Sequence, residues 1–103
     1  MSVSQGEINF AVELFDKLGE ITVRKMMGGA SIYVGGQIFA IVHSDGRIFL
    51  KAKDEFAAEL ATDGAVKFEM EDGRGMNYWT LPEAALDDPE LAVRWAQKAL
   101  ANL

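Results

Sequence analysis

Cysteine is absent from the 103 residues. This excludes thiol nucleophiles, disulfides and thiolate metal sites, and fits a reducing compartment, so a cytoplasmic location is expected. A single histidine, His43, excludes a multi-histidine zinc centre. No apolar run approaches the roughly 18 residues a membrane span requires. Met1-Ser2-Val3 lacks the basic start and apolar core of a signal peptide, so no membrane role is expected. Basic charge is in short supply, with 10 Lys and Arg against 16 Asp and Glu and a net charge of −6, which argues against direct nucleic-acid binding.

Apolar residues make up 50% of the chain and charged residues 25%, the balance of an ordinary globular protein. The length fits one domain over residues 1–103, able to bury roughly 65% of its unfolded surface. The charge is unevenly spread. Residues 1–16 hold three acids and no base; residues 17–53 hold six bases against two acids, a net of +4; residues 54–103 hold four bases against eleven acids, a net of −7. The acidic total conceals a basic middle third.

Ser4-Gln5-Gly6-Glu7 has the S-x-x-E form of a capping box, and Ile8, Ala11, Val12, Phe15 and Leu18 follow at helical spacing. The pattern predicts a helix over 5–18, ended by Gly19. Residues 21–52 turn β-branched and aromatic, with Gly28-Gly29, Gly35-Gly36 and Asp45-Gly46 as punctuation. Four antiparallel strands are expected near 21–26, 30–34, 37–43 and 47–52, with Gly35-Gly36 and Asp45-Gly46 acting as two-residue hairpin turns. Asp54 is expected to cap a helix over 55–62 with Phe56, Ala57, Leu60 and Ala61 inward and Gly64 at its end. Val66, Phe68 and Met70 alternate with Lys67, Glu69 and Glu71, a half-buried strand that turns at Asp72-Gly73 into a partner near 75–80. Thr80-Leu81-Pro82-Glu83 repeats the capping-box pattern before a single helical turn. Asp87-Asp88-Pro89-Glu90 opens the last helix, with Leu91, Trp95, Ala96, Ala99 and Leu103 as its buried stripe.

The order α-β4-α-β2-α predicts a two-layer α+β domain, an antiparallel sheet of about six strands with three helices on one face. Strict alternation would point Ile38, Ala40 and Val42 one way and Phe39 and Ile41 the other, leaving both sheet faces apolar. With helices on one face, a second copy in a twofold dimer is the simplest cover for the other. Loops of the same chain are the alternative.

Catalytic patterns are weak. Gly28-Gly29-Ala30-Ser31 lacks the Lys-Ser/Thr ending of a phosphate loop, and no helix follows it. Gly29-Ala30-Ser31-Ile32-Tyr33 departs from a nucleophile elbow at Tyr33. His43, Ser44 and Asp45 are the residue types of a catalytic triad, but strand alternation would send consecutive side chains apart. Glu69 and Glu71 fall on the solvated side of their strand. No metal or cofactor site is expected. Arg24, Lys25, Met26 and Met27 place charge beside adaptable apolar surface. Neither Met26-Met27 nor Tyr78-Trp79 can turn both side chains to one face, so one of each pair should meet a partner.

Arg24-Lys25-Met26-Met27-Gly28-Gly29 resembles the R-x-M-F-G-G segment of the TfoX/Sxy N-terminal domain family. The resemblance continues in order through Ser31-Ile32-Tyr33, Phe39-Ala40-Ile41-Val42, Ile48-Phe49-Leu50-Lys51, Phe68-Glu69-Met70, Met76-Asn77-Tyr78-Trp79, Leu81-Pro82, Asp87-Asp88-Pro89-Glu90 and Trp95-Ala96. It spans about residues 8–100, with Met27 where the family has phenylalanine. It implies an α+β domain similar to secretion-chaperone-like folds, often dimeric and without catalytic residues. Named members regulate competence with the cAMP receptor protein and carry a second, C-terminal domain, which is expected to be absent here.

The expectation is a non-enzymatic regulatory or protein-interaction domain linked to competence or transcription regulation. Its partner-binding candidates are Arg24, Lys25, Met26, Met27, Gly28, Gly29, Tyr33, Phe39, Ile41, Tyr78 and Trp79. The alternative is a small-molecule-binding protein or minor enzyme using a cleft near Arg24, Tyr33, Tyr78 and Trp79. A third reading, DNA binding, requires the Lys and Arg residues of the basic strip to share one continuous face.

Overall fold

Ser4 opens the first helix as its sequence predicts. Its hydroxyl accepts the Glu7 backbone N–H at 3.1 Å, while the Glu7 carboxylate accepts the Ser4 N–H at 2.9 Å. The computed structural model describes residues 2–26, 28–69 and 75–103. Met27, Met70, Glu71 and the Asp72-Gly73 turn, all part of the sequence reading, lie outside them. Helix α1 covers Gln5–Leu14 and buries Ile8, Ala11 and Leu14. It is shorter than the predicted 5–18 because the chain tightens into a 3₁₀ turn at Asp16–Leu18, a common ending for an α-helix. Phe15, at the junction, is fully buried.

Four strands follow: β1 (Ile21–Met26), β2 (Gly29–Val34), β3 (Gln37–Val42) and β4 (Ile48–Lys51). Helix α2 (Asp54–Thr62), β5 (Lys67–Glu69), β6 (Gly75–Thr80), a 3₁₀ turn at Glu83–Ala85 and α3 (Pro89–Ala101) complete the chain. The sheet is antiparallel, in the order β1-β2-β3-β4-β6-β5. This is the expected α+β architecture of six strands and three helices. Gly35 and Gly36, at φ +58° and +80°, form the tight turn that positive φ at both central residues allows. The β3–β4 connection is longer than the expected two residues. His43 N–H donates to the Arg47 carbonyl, Gly46 N–H donates to the His43 carbonyl, and Gly46 adopts φ +92°. This is a three-residue loop, stabilised by the Asp45 carboxylate accepting the Arg47 N–H at 3.0 Å.

Two caps differ from expectation. Lys53, not Asp54, occupies the N-cap of α2, without a side-chain bond, and Asp54 itself sits at φ +54°. The Thr80 hydroxyl accepts the Val66 N–H at 2.8 Å, so it ties β6 to the loop before β5 and leaves the Glu83 turn uncapped. Helix α3 opens at Asp87-Asp88-Pro89-Glu90 as predicted, with Asp88 as its cap, accepting the Leu91 N–H at 3.2 Å, and Pro89 at the first helical position.

Cross-strand register sorts the sheet into two faces. The row Val23–Ile32–Ala40–Leu50–Trp79 runs across five strands, and Ala30, Val42 and Ile48 lie beside it on the same face. These residues meet Ile8, Ala11 and Leu14 of α1, Phe56, Ala57 and Leu60 of α2, and Ala92, Trp95, Ala96 and Ala99 of α3 in one core. The helical stripes are narrower than predicted, for Ala61 and Leu103 are exposed and Leu91 is half-buried.

One irregularity changes the reading of β3. Ile32 pairs with Ala40 while Tyr33 pairs with Ile38, which leaves Phe39 as the extra residue of a β-bulge. The strict alternation read from the sequence therefore fails at this point. Phe39 turns to the helix layer, fully buried, with its ring edge-on to Phe15 at 5.2 Å. Ile38 takes the place on the opposite face that the sequence assigned to Phe39.

Candidate interaction face

The face away from the helices carries the row Arg24–Ser31–Ile41–Phe49–Thr80. A second row, Thr22–Tyr33–Ile38, runs beside it, and Lys51 pairs with Tyr78 further along. Alternation across the pleat and the bulge at Phe39 together bring Ile38, Ile41, Tyr33 and Tyr78 to this one surface. At one end, Phe49 is shielded by neighbours from its own chain. Phe68 meets it edge-on at 5.1 Å, His43 lies 6.2 Å away, and the Arg47 guanidinium sits 5.3 Å from the ring centre. Next to this cluster lies an open hollow of about 280 Å³, lined by Met26, Ser31, Ile38, Ile41, Phe68 and Tyr78 among others.

Each of the two residue pairs that could not share a face has at least one member placed. Met26 is 54% exposed at the rim of the hollow, and its thioether accepts the Ser31 hydroxyl at 3.0 Å. Met27 lies outside the described residues. Tyr78 is buried on the open face, whereas Trp79 pairs with Leu50 and packs against the helix-side core. Burial, and secondarily the nearby Tyr33, raises the Tyr78 phenol above its ordinary value. Arg24, Tyr33 and Tyr78 thus share the open face and Trp79 does not, so the four do not line a single cleft. Lys25 is on the helix-side face at the β1 edge, opposite to Arg24, so the basic strip is split between faces. Gly28, at φ +85°, serves the β1–β2 turn. A side chain on Gly29 would stand 2.6 Å from the Val42 carbonyl, so the glycine permits close strand approach.

The catalytic residue types come closer together than alternation predicts, because the β3–β4 loop folds back. Ser44 Oγ lies 3.5 Å and Asp45 Oδ1 3.1 Å from His43 Nδ1, and the Asp45 N–H approaches the same nitrogen at 3.3 Å. Serine and aspartate crowd one ring nitrogen, whereas a relay uses both. Ser31 faces a thioether, which is a weak acceptor and no general base. Among the described residues no group of His, Asp and Glu side chains is arranged to hold a metal ion. No described helix is long and apolar enough to cross a membrane.

Sequence reasoning missed Ile38 and the His43–Phe49–Phe68 cluster. The bulge has no glycine or proline to announce it, and Phe68 finds its partners only through the β5–β6 pairing. Val66, expected to be buried beside Phe68, is 61% exposed on the approach to the edge strand. No curated protein matches the sequence. The family model of the TfoX N-terminal domain matches residues 13–103, nearly the whole chain, and the chain belongs to that family.

Proposed function

We propose that this chain is a non-enzymatic protein-interaction domain that pairs with a second copy of itself through the open face of its sheet, and that it acts in gene regulation such as competence control. The observation that carries the pairing is the half-covered surface formed by Met26, Ile38, Ile41 and Tyr78 beside the Phe49 cluster. A two-layer domain leaves such a face to solvent or to a partner, and a twofold axis is the commonest way to cover it. The regulatory part rests on the family. The absence of catalysis is supported by the contacts of Ser31 and His43, neither of which activates a nucleophile.

Light scattering or sedimentation of the purified chain tests the pairing. A dimer is expected, and Ile41→Lys or Ile38→Lys should reduce its mass to that of a monomer with an unchanged circular dichroism spectrum. An unchanged mass in both variants removes this face as the interface. Loss of the gene should shift the transcript profile of its host; an unchanged profile removes the regulatory reading.

The hollow favours a second reading, in which a small apolar ligand with a hydrogen-bonding group sits between Met26, Ile38 and Tyr78. Its volume falls just below the range of ligand pockets, which begins at about 300 Å³. Thermal-shift screening of metabolites separates the readings, because a ligand of the native state raises the melting temperature.

A further inference from the structure

A large groove lies away from the open sheet face. It holds about 580 Å³ between α1, the β3–β4 loop and the segment joining β6 to α3. Its floor is Ile48 and Leu81, and Phe10 and Leu86 stand on its walls. A second hollow of about 170 Å³ continues from it, sharing Phe10 and Leu86. Those two side chains are 47% and 37% exposed and line the same two hollows, so they form one apolar patch rather than scattered single residues. Along α1 the groove runs from Glu7 to Leu14, about 10 Å at the helical rise of roughly 1.5 Å per residue.

The charge around this groove has one sign. Glu7 and Glu13 flank Phe10 on α1, and Glu83 and Asp87 flank Leu86 on the facing segment. The remaining charged lining residues, Asp45 and Arg47, pair with each other at 2.8 Å and cancel. Apolar side chains between two acidic walls are complementary to a segment that presents large apolar residues with Lys or Arg on both sides. A helix laid into a groove recognises its partner in this way, through apolar anchors one turn apart.

We propose that the Phe10–Leu86 groove is a docking site for a basic amphipathic segment of a partner protein. Apolar anchors of the segment fill the space over Ile48 and Leu81, and its flanking cations meet Glu7, Glu13, Glu83 and Asp87. The contact is independent of the sheet face, so one domain can pair with its copy and hold a partner together.

The probe is a fluorescein-labelled 18-residue amphipathic helix of leucine and lysine, with a leucine–glutamate peptide of the same pattern as control. Anisotropy titration of the full chain should give saturable one-to-one binding of the lysine peptide, weakened by salt, and none of the glutamate peptide. Phe10→Ser and the Glu83→Lys/Asp87→Lys pair should each weaken binding about tenfold or more. Ile41→Lys, on the sheet face, should leave it unchanged. Backbone amide shifts on peptide addition should be largest along Glu7–Leu14 and Glu83–Asp88, a readout independent of how any variant folds. Equal binding of both peptides, undiminished binding by the groove variants, or shifts centred on Ile38 and Ile41 would overturn the proposal. So would a dimer whose mass drops with Phe10→Ser, since a second copy would then fill the groove.

Discussion

The two faces of this sheet are made by the same strands and differ in what they meet. On the helix face, Ala30, Ile32, Ala40, Val42, Ile48 and Leu50 form an unbroken apolar surface that three helices cover. On the open face, a single row passes from Arg24 through Ser31, Ile41 and Phe49 to Thr80, so charged and polar groups bracket the apolar ones. The first face can only be buried, and it holds the fold together. The second tolerates water, which frees it for association. Leu50→Ala should therefore produce the largest loss of stability, about 2–5 kcal/mol in chemical denaturation, because it empties a fully enclosed site. Ile41→Ala, on the half-covered face, should cost the isolated monomer less than about 1 kcal/mol. Equal losses would mean that the open face is core after all.

Gly29→Ala sharpens the contrast at the sheet itself. The added methyl would lie 2.6 Å from the Val42 carbonyl, a backbone atom that cannot rotate away, so the strand must shift. Overpacking of this kind costs about 1–3 kcal/mol, and thermal melting should register it. On the helix layer, Ser4→Ala removes one arm of the capping box and should cost about 1 kcal/mol. Trp95→Phe should move stability by less than about 1 kcal/mol in either direction, since it gives up ring contact but also removes a buried indole N–H that has no hydrogen-bond partner among the described residues. A large loss there would show that the indole has a polar partner in solution.

Periodicity and turn chemistry made most of the fold readable. Ser4 with Glu7, Asp88 with Pro89, and Gly35-Gly36 each specify a local geometry that tertiary packing then keeps. Phe39 shows where such reading stops. A bulge shifts one residue of register, and the phenylalanine it turns inward meets Phe15, twenty-four positions earlier. The open face was legible as a class of surface through Ile41 and one of Tyr78 and Trp79, but Ile38 entered it only because of that bulge. Asp45 was legible as a turn residue. Its hold on Arg47, and Arg47's place over Phe49, depend on loop length and strand pairing that composition does not carry. The groove at Phe10 had no sequence signal, since its two walls are separated by some seventy residues and only Phe10 breaks the polar side of α1.

The smallest expected effect concerns how the open face is closed at its Phe49 end. Desolvation would raise the Asp45 carboxyl, but the Arg47 backbone N–H, the Arg47 guanidinium bond at 2.8 Å and its charge, and then His43, outweigh it and hold the group below its ordinary value of 3.8. A carboxyl lowered in the folded state stabilises that state above the unfolded pKa, and the contribution disappears as pH falls through the lower, folded value. Asp45→Asn keeps one oxygen for the Arg47 N–H and removes the charge together with the oxygen that accepts the Arg47 Nε–H, so the variant should be less stable than the parent at pH 7, with the gap narrowing as pH falls through the folded value. Solvent at this exposed turn limits the difference to a few tenths of a kcal/mol, within reach of paired urea titrations. If the difference persists at low pH, then Asp45 stabilises the loop through its hydrogen bonds alone, and Arg47 covers Phe49 without its help.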